Sequence, residues 1–261
     1  MKKIIILLLI AFLSGCGREE GNIDKSTVVA SDTSLKKENI SIGTADGLKL
    51  SADYFYKTVK SKQPLVILIH QFRSDKEQWQ QSFVDSLIKK GYKVLALDLR
   101  SHGKSDPAPV EQIQLLSDPA QAPRDVDAAV AWAKTQTSID SNRIAIIGTS
   151  IGGSLGIYGR INQGIKSVVA VSSGKSTFEA FTGYDDRKMS MARPIPRIKN
   201  IMFICGKKDG NYAEEEQAIF DNYLDEPREI QFFESEKHGK FLIEEFPEIN
   251  KFILNWLNKT L

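Results

Sequence analysis

The sequence has few of the side chains that most often bind metals or form disulfides. Its 261 residues include two cysteines, Cys16 and Cys205, and three histidines. None of these stands at the ligand spacing of a zinc site, so we expect no metal. Neither a G-x-x-x-x-G-K-[ST] phosphate loop nor a G-x-G-x-x-G dinucleotide fingerprint occurs. The sequence therefore predicts no cofactor.

An excess of charge of one sign is also lacking. Lys and Arg together number 35, Asp and Glu number 33, and the formal net charge is +2. Lys2 and Lys3 lie in a segment that we expect to be removed, which brings the net charge of the mature protein close to zero. This balance argues against nucleic acid as a partner, because nucleic-acid binding needs a basic surface.

A long apolar run is missing as well. Residues 4–13 are apolar without interruption, but a helix that spans a membrane needs about 20 such residues. A short apolar run after Lys2 and Lys3 is typical of a secretory signal peptide. The run ends in the letters LSGC at residues 13–16, which resemble the lipobox of bacterial lipoproteins. In that family the cysteine becomes the new N-terminus and carries the lipid, since a thiolate is a strong nucleophile.

The lipobox resemblance implies a signal peptide over residues 1–15 and palmitate-type acyl chains on Cys16. Buried acyl chains contribute about 0.8 kcal/mol per methylene, so several chains anchor a protein firmly. Gly17 follows the cysteine, which resembles the outer-membrane sorting pattern of Gram-negative bacteria. We expect a protein held in the cell envelope, outside the cytoplasm, by a polar tether over residues 16–37. An ordinary secretory signal with a chance cysteine is the alternative. A lipid on Cys16 also excludes a disulfide to Cys205.

Apolar segments of strand length recur from about Glu38 to the end of the chain. Continuous apolar strands predict burial on both faces, as in a parallel sheet that helices cover. A turn at Ala45–Gly47 joins the first two predicted strands in a hairpin. The predicted strands are residues 39–44, 49–56, 65–69, 94–99, 144–147, 167–171, 201–205 and 230–233.

Helical patterns separate most of these strands. Ser74 and Glu77 form a capping-box pattern ahead of Trp79, Phe83 and Leu87, which follow at helical spacing. Other predicted helices cover residues 125–134, 150–160, 214–224 and 249–257. Alternating strands and helices predict one α/β domain over residues 38–261, with a mostly parallel sheet of about eight strands and helices on both faces.

A nucleophile motif lies at one strand-to-helix junction. Residues 148–152 read GTSIG, which fits G-x-S-x-G, and they join the strand at 144–147 to a helix. Such a turn holds the serine in strained backbone geometry and exposes its oxygen. Here the chain resembles the α/β-hydrolase superfamily, including its esterase and dienelactone-hydrolase-like members. The resemblance covers roughly residues 38–261 and implies that Ser150 is the nucleophile of an enzyme. The stretch between the predicted strands at 167–171 and 201–205 is short, so we expect no large cap over the site.

A serine hydroxyl needs an adjacent base. The α/β-hydrolase order is serine, acid, histidine, and of His70, His102 and His238 only the last follows Ser150. His238 also lies between the last predicted strand and the final helix, where the family places its base. The simpler interpretation of His70 is that it stabilises the neighbouring loop and transfers no proton. His102 lies in a turn that resembles the family's structural D-x-R-G-x-G-x-S segment.

The acid is expected at the end of a strand between the nucleophile and the base. Asp209 follows the strand at 201–205 in a strand-Gly-x-x-Asp loop, and the resemblance implies that it orients His238. The end of the preceding strand carries no carboxylate. Weaker candidates are Asp185, Asp186 and Glu234.

The oxyanion hole of this family combines two backbone N–H groups. The resemblance implies that Ile151 and Phe72 provide them. The loop that commonly reads His-Gly-x in the family reads His-Gln-Phe here, so Gln71 replaces a glycine. Gln71 either restricts the loop or reaches into the substrate pocket.

These features predict a membrane-anchored serine hydrolase that cleaves carboxylic esters of small molecules through an acyl-enzyme. The alternatives are a serine peptidase on the same fold, acting on amides, and a non-catalytic binding lipoprotein of the envelope. The substrate and the oligomeric state stay open. Four side chains form either the apolar wall of an open pocket or part of the core: Phe178, Phe181, Tyr184 and Met189.

Overall fold

The computed structural model describes residues 34–184 and 197–261 of the chain. In this part, eight strands form one sheet in the order β1-β2-β4-β3-β5-β6-β7-β8. β2 is antiparallel to both β1 and β4, and β3 to β8 pair in parallel. The strands are β1 (Leu35–Gly43), β2 (Lys49–Lys57), β3 (Gln63–Ile69), β4 (Lys93–Leu97), β5 (Ile139–Thr149), β6 (Ser167–Val171), β7 (Ile201–Gly206) and β8 (Arg228–Phe233).

Helices cover both faces of this sheet. In the described ranges they are α1 (Gln81–Lys89), α2 (Pro123–Thr135), α3 (Ile151–Asn162), α4 (Lys175–Thr182), α5 (Tyr212–Tyr223), α6 (Lys240–Glu245) and α7 (Ile249–Thr260). Apolar side chains of α2 to α5 pack on one face of the sheet, and those of α1, α6 and α7 pack on the other. The α/β-hydrolase fold predicted from the sequence is therefore confirmed.

The central strands are apolar on both faces because both faces are covered. The side chains of Leu65, Ile67 and Ile69 on β3 enter one core, and those of Val66 and Leu68 enter the other. All five are fully buried. At about 25 cal/mol per Å² of apolar surface, such burial is the main force that holds the layers together. No helix within the described ranges is long and apolar enough to span a membrane.

Several element boundaries differ from the sequence prediction, among them the start of β5, which is Ile139 and not residue 144. β1 begins at Leu35, ahead of the predicted start of the domain, because its first residues pair through their backbones with the end of β2. The capping box at Ser74 does not form, since Asp75 accepts the N–H of Glu77 and starts a short 3₁₀ helix, Lys76–Gln78. α1 therefore begins only at Gln81.

Candidate active site

Ser150 lies in the turn between β5 and α3. Its backbone has φ 52° and ψ −119°, a conformation that residues other than glycine rarely adopt. The turn is tied to β6 because the N–H of Ser150 donates to the carbonyl of Val171 at 2.7 Å. This strained geometry places the serine at the carboxyl edge of the sheet, ahead of the first turn of α3.

The two glycines of the GTSIG motif are needed for packing. A Cβ on Gly148 would lie 2.1 Å from the backbone carbon of Gly152, and a Cβ on Gly152 would lie 2.4 Å from the carbonyl oxygen of Ile69. Both distances are far below van der Waals contact. The turn can therefore bring β5, β3 and α3 this close together only with glycine at both positions.

His238 and Asp209 meet at the same edge of the sheet. Nδ1 of His238 lies 3.0 Å from each carboxylate oxygen of Asp209. Asp209 is buried in the loop after β7, and His238 is partly exposed in the loop between β8 and α6. An acceptor at Nδ1 fixes the proton there and leaves Nε2 free to accept another proton. The Tyr212 ring packs against the imidazole, with ring centroids 4.4 Å apart.

Ser150 and His238 border one open cavity of about 590 Å³. Their side chains make no hydrogen bond to each other within the described residues, which is common before a substrate binds. The rest of the lining combines apolar and polar groups. It consists of Gln71, Phe72, Ile113, Leu116, Ser117, Gly174, Ser176, Thr177, Tyr212 and Glu215.

Over the described ranges, the backbone N–H groups of Ile151, at the start of α3, and of Phe72, in the loop after β3, donate to no protein acceptor. The N–H of Gln71 is different, because it donates to Oε1 of Gln78 at 3.2 Å. Both residues predicted for an oxyanion hole thus have an N–H without a protein acceptor; Phe72 lines the cavity, and Ile151 directly follows Ser150.

The other two histidines are buried away from the cavity. His70 donates from Nδ1 to the carbonyl of Gln71 at 2.7 Å, and its Nε2 accepts the N–H of Leu99 at 3.0 Å. Burial lowers the pKa of His70 to about 4, so the ring is neutral at pH 7. His102 bridges the carbonyl of Arg100 and the N–H of Arg73 in a similar way. Both rings brace the loops after β3 and β4.

The weaker acid candidates lie elsewhere. Asp185 and Asp186 fall outside the described residues, and Glu234 is an exposed side chain paired with Lys207. Sequence reasoning missed another carboxyl group, that of Glu216 on α5. Its Oε1 accepts the N–H of Ser173 at 2.6 Å, just beyond the end of β6. Complete burial raises the pKa of Glu216 well above its usual range, which favours the uncharged form.

Cys205 is a buried free thiol at the end of β7. Its Sγ lies 3.8 Å from Oδ2 of Asp209, and burial raises the pKa of the thiol. A neutral thiol is a weak nucleophile, so Cys205 is a poor candidate for a nucleophile. Over the described ranges, no group of three or more His, Cys, Asp or Glu side chains could hold a metal ion.

The aromatic side chains after β6 belong to the core and not to the cavity. Phe178, Phe181 and Tyr184 are buried, and the rings of Phe178 and Tyr184 pack against Tyr223. Met189 falls outside the described residues. The apolar part of the cavity wall comes instead from Phe72 and from a 3₁₀ helix, Gln112–Leu116, between β4 and α2.

Solved structures resemble the fold over nearly its whole length. The Pyrococcus furiosus esterase Pf2001 is 25% identical with a TM-score of 0.68, and the match covers 88% of this chain and 94% of the esterase. An acetyl xylan esterase from Paenibacillus sp. R4 has a TM-score of 0.66 over 91% of this chain and 87% of its own. The identity to the second enzyme is 15%, so that likeness concerns the fold alone.

Curated relatives share a shorter segment. The quorum-quenching protein AidA of Acinetobacter baumannii is 31% identical over 109 residues, which are 42% of this chain and 34% of the relative. An uncharacterized 31.7 kDa protein from the traX-finO intergenic region of Escherichia coli is 32% identical over 42% of this chain and 37% of its own. The chain thus matches about a third of the length of these relatives. The profile of a family described as alpha/beta hydrolase fold matches residues 64–195, half of the chain, and together with the sheet order this shows that the chain belongs to the α/β-hydrolase family.

Proposed function

We propose that the protein is a serine hydrolase that cleaves carboxylic esters through an acyl-enzyme on Ser150. One observation carries the proposal: Ser150, in its strained turn, borders the same cavity as His238, whose Nδ1 lies 3.0 Å from the carboxylate of Asp209. A nucleophile, a base and a group that orients the base thus lie at one edge of the sheet.

The proposed reaction has two halves. In the first, Nε2 of His238 takes the hydroxyl proton while Oγ of Ser150 attacks the ester carbonyl. The N–H groups of Ile151 and Phe72 bind the resulting oxyanion, and the imidazolium, which Asp209 stabilises, returns the proton to the leaving alcohol. In the second half, His238 takes a proton from water, the hydroxide attacks the acyl-enzyme, and the acid is released as the proton returns to Ser150.

The character of the cavity supports small esters as substrates. The lining includes the apolar residues Phe72, Ile113 and Leu116 and the hydroxyl-bearing residues Ser117, Ser176 and Thr177. One structural neighbour, 25% identical to this chain, is named as an esterase, which supports an ester over an amide as the scissile group. A peptidase on the same fold remains the alternative. Comparing turnover of p-nitrophenyl acetate with that of an aminoacyl-nitroanilide separates the two.

A fluorophosphonate probe tests the proposal directly. We expect the probe to label the native protein at Ser150, because only an activated serine attacks phosphorus at a useful rate. Peptide mass spectrometry gives the labelled residue, and Ser150→Ala should remain unlabelled. Native protein that is folded, as judged by circular dichroism, and yet takes up no label would exclude an enzymatic role and leave a binding module.

We also propose that the enzyme is anchored in the cell envelope by lipid on Cys16, a residue outside the described part of the chain. The support comes from the basic start, the apolar run and the LSGC letters of the sequence. We expect the full-length protein to sediment with bacterial membranes and Cys16→Ser to be released from them. Cys205→Ala, which changes the other cysteine, is the matched control and should stay bound. Wild-type protein recovered in the soluble fraction would contradict the anchor.

A further inference from the structure

Gln71 occupies the oxyanion-loop position where the family commonly has glycine, and its side chain reaches across the site. Oε1 of Gln71 accepts the N–H of Lys240 at 2.8 Å, across 169 positions of sequence. Lys240 is the first residue of α6 and lies two positions after His238. The side chain therefore joins the loop of Phe72 to the loop that carries the proposed base.

The backbone next to His238 is fitted closely to Gln71. Gly239 has φ 56°, and a Cβ at this position would lie 2.3 Å from Oε1 of Gln71. The N–H of Gly239 donates to Oγ of Ser172, at the end of β6, at 3.0 Å. The two N–H groups that follow His238 are thus each held by a side chain from a different loop.

A second amide extends this link to the nucleophile turn. Gln78, in the 3₁₀ helix before α1, accepts the N–H of Gln71 with Oε1 at 3.2 Å. Its Nε2 donates to Oγ1 of Thr149 at 2.9 Å, and Thr149 directly precedes Ser150. We call the side chains of Gln71 and Gln78 the amide bridge. The amide bridge connects the oxyanion loop, the nucleophile turn and the histidine loop.

We propose that Gln71 and Gln78 are positioning residues that fix His238 relative to Ser150 and to the oxyanion donors. This inference rests on the proposed function of the same site. Asp209 sets the rotation of the imidazole, but the position of the ring also depends on the loop that carries it. Within the described residues, no hydrogen bond joins that loop directly to Ser150. Reacting groups displaced by about 1 Å lose about 100-fold in rate, so the amide bridge acts on the chemical step more than on substrate binding.

Gln71→Met is the principal test, because methionine keeps the length and volume of the side chain but accepts hydrogen bonds poorly. We expect kcat for p-nitrophenyl acetate to fall between about 10-fold and 100-fold, with KM little changed. The Lys240 amide should also lose its protection from hydrogen exchange, which NMR measures. Gln63→Met is the matched control. Gln63 is the first residue of β3, the strand that leads to the loop of Gln71, and its side chain donates one hydrogen bond to the carbonyl of Gly91, far from the site.

Gln78 provides a second test that does not change a residue of the cavity wall. Gln78→Leu removes both hydrogen bonds and should lower kcat in the same way as Gln71→Met. Gln78→Glu should restore most of the loss, because a carboxylate can accept from the N–H of Gln71 and from the hydroxyl of Thr149. The double variant Gln71→Met/Gln78→Leu should lose much less than the product of the two single losses, since both changes break one linkage.

These outcomes separate the inference from the proposed function. If Gln71→Met and Gln78→Leu keep the kcat of Gln63→Met, the amide bridge has no positioning role. Equal losses of kcat in Gln78→Leu and Gln78→Glu would also contradict the positioning role. So would losses of kcat that are fully accounted for by a lower unfolding temperature of the variants. Failure of the probe to label Ser150 would instead contradict the proposed function itself.

Discussion

Ser150→Ala is expected to lower kcat for p-nitrophenyl acetate by a factor on the order of 10⁴ to 10⁶, with KM changed far less. Alanine keeps the fold but removes the oxygen that would carry the acyl group. The residual rate would come from binding and from the N–H donors of Ile151 and Phe72. Steady-state kinetics on purified protein measures the loss, and trace contamination with wild type sets its lower limit.

The matched control for this variant is Ser154→Ala. Ser154 lies one turn further along α3 and is fully buried, and within the described residues its hydroxyl makes only a long hydrogen bond of 3.5 Å to the carbonyl of Gly174. We expect its kcat to stay near that of the wild type. His238→Ala should lose about as much as Ser150→Ala, and combining the two changes should add little, because the pair acts as one unit. Losses that multiply in the double variant would argue against a shared proton transfer.

The sheet could be predicted from sequence because its strands are short apolar runs between polar turns. β3 and β6 match the predicted residues closely, since burial on both faces leaves few polar side chains in them. The start of β1 could not be predicted in this way. Its first residues, Leu35 to Lys37, pair through backbone groups with β2, and backbone pairing leaves no apolar pattern in the sequence.

The candidate site was predictable where a motif or chain order applies. GTSIG marks Ser150, and the order serine, acid, histidine points to Asp209 and His238, which the structure brings together. The cavity wall could not be inferred, because Ile113 and Tyr212 reach it from segments with no such motif. The contact between Gln71 and Lys240 depends on tertiary packing between distant segments, and only the unusual glutamine in the His-Gln-Phe loop signalled it.

A buried ion pair holds the loop after β4. Arg100 is completely buried, and its Nε donates to Oδ1 of Asp125, on α2, at 2.8 Å. Its Nη1 also donates to Oδ2 of Asp46, in the turn between β1 and β2, at 2.8 Å. Asp98, which precedes this loop, pairs with Lys76 and not with Arg100. Arg100 thus ties the hairpin and α2 to the loop that positions His102.

Arg100→Met is expected to lower the free energy of unfolding at pH 7 by about 3–5 kcal/mol, because it leaves the buried carboxylate of Asp125 without its partner. Denaturation with urea, followed by circular dichroism, measures the change. Arg143→Met is the matched control. Arg143 pairs with Asp140 at the surface, with 43% of its side chain exposed, and exposed pairs contribute less than about 1 kcal/mol.

The pH dependence of the stability loss distinguishes an unpaired buried charge on Asp125 from a simple loss of packing. Burial raises the pKa of Asp125 to about 6 even with Arg100 present, and removing the guanidinium raises this pKa further. A carboxyl group whose pKa is higher in the folded than in the unfolded state destabilises the fold above its unfolded pKa. This penalty grows until the pH passes the folded pKa, and it disappears as the pH falls back to the unfolded pKa. The difference between wild type and Arg100→Met should therefore shrink between pH 7 and pH 5. In Arg100→Met/Asp125→Asn the loss at pH 7 should be smaller and nearly independent of pH. A loss in Arg100→Met that is equal at both pH values would mean that packing, and not the charge of Asp125, makes Arg100 necessary.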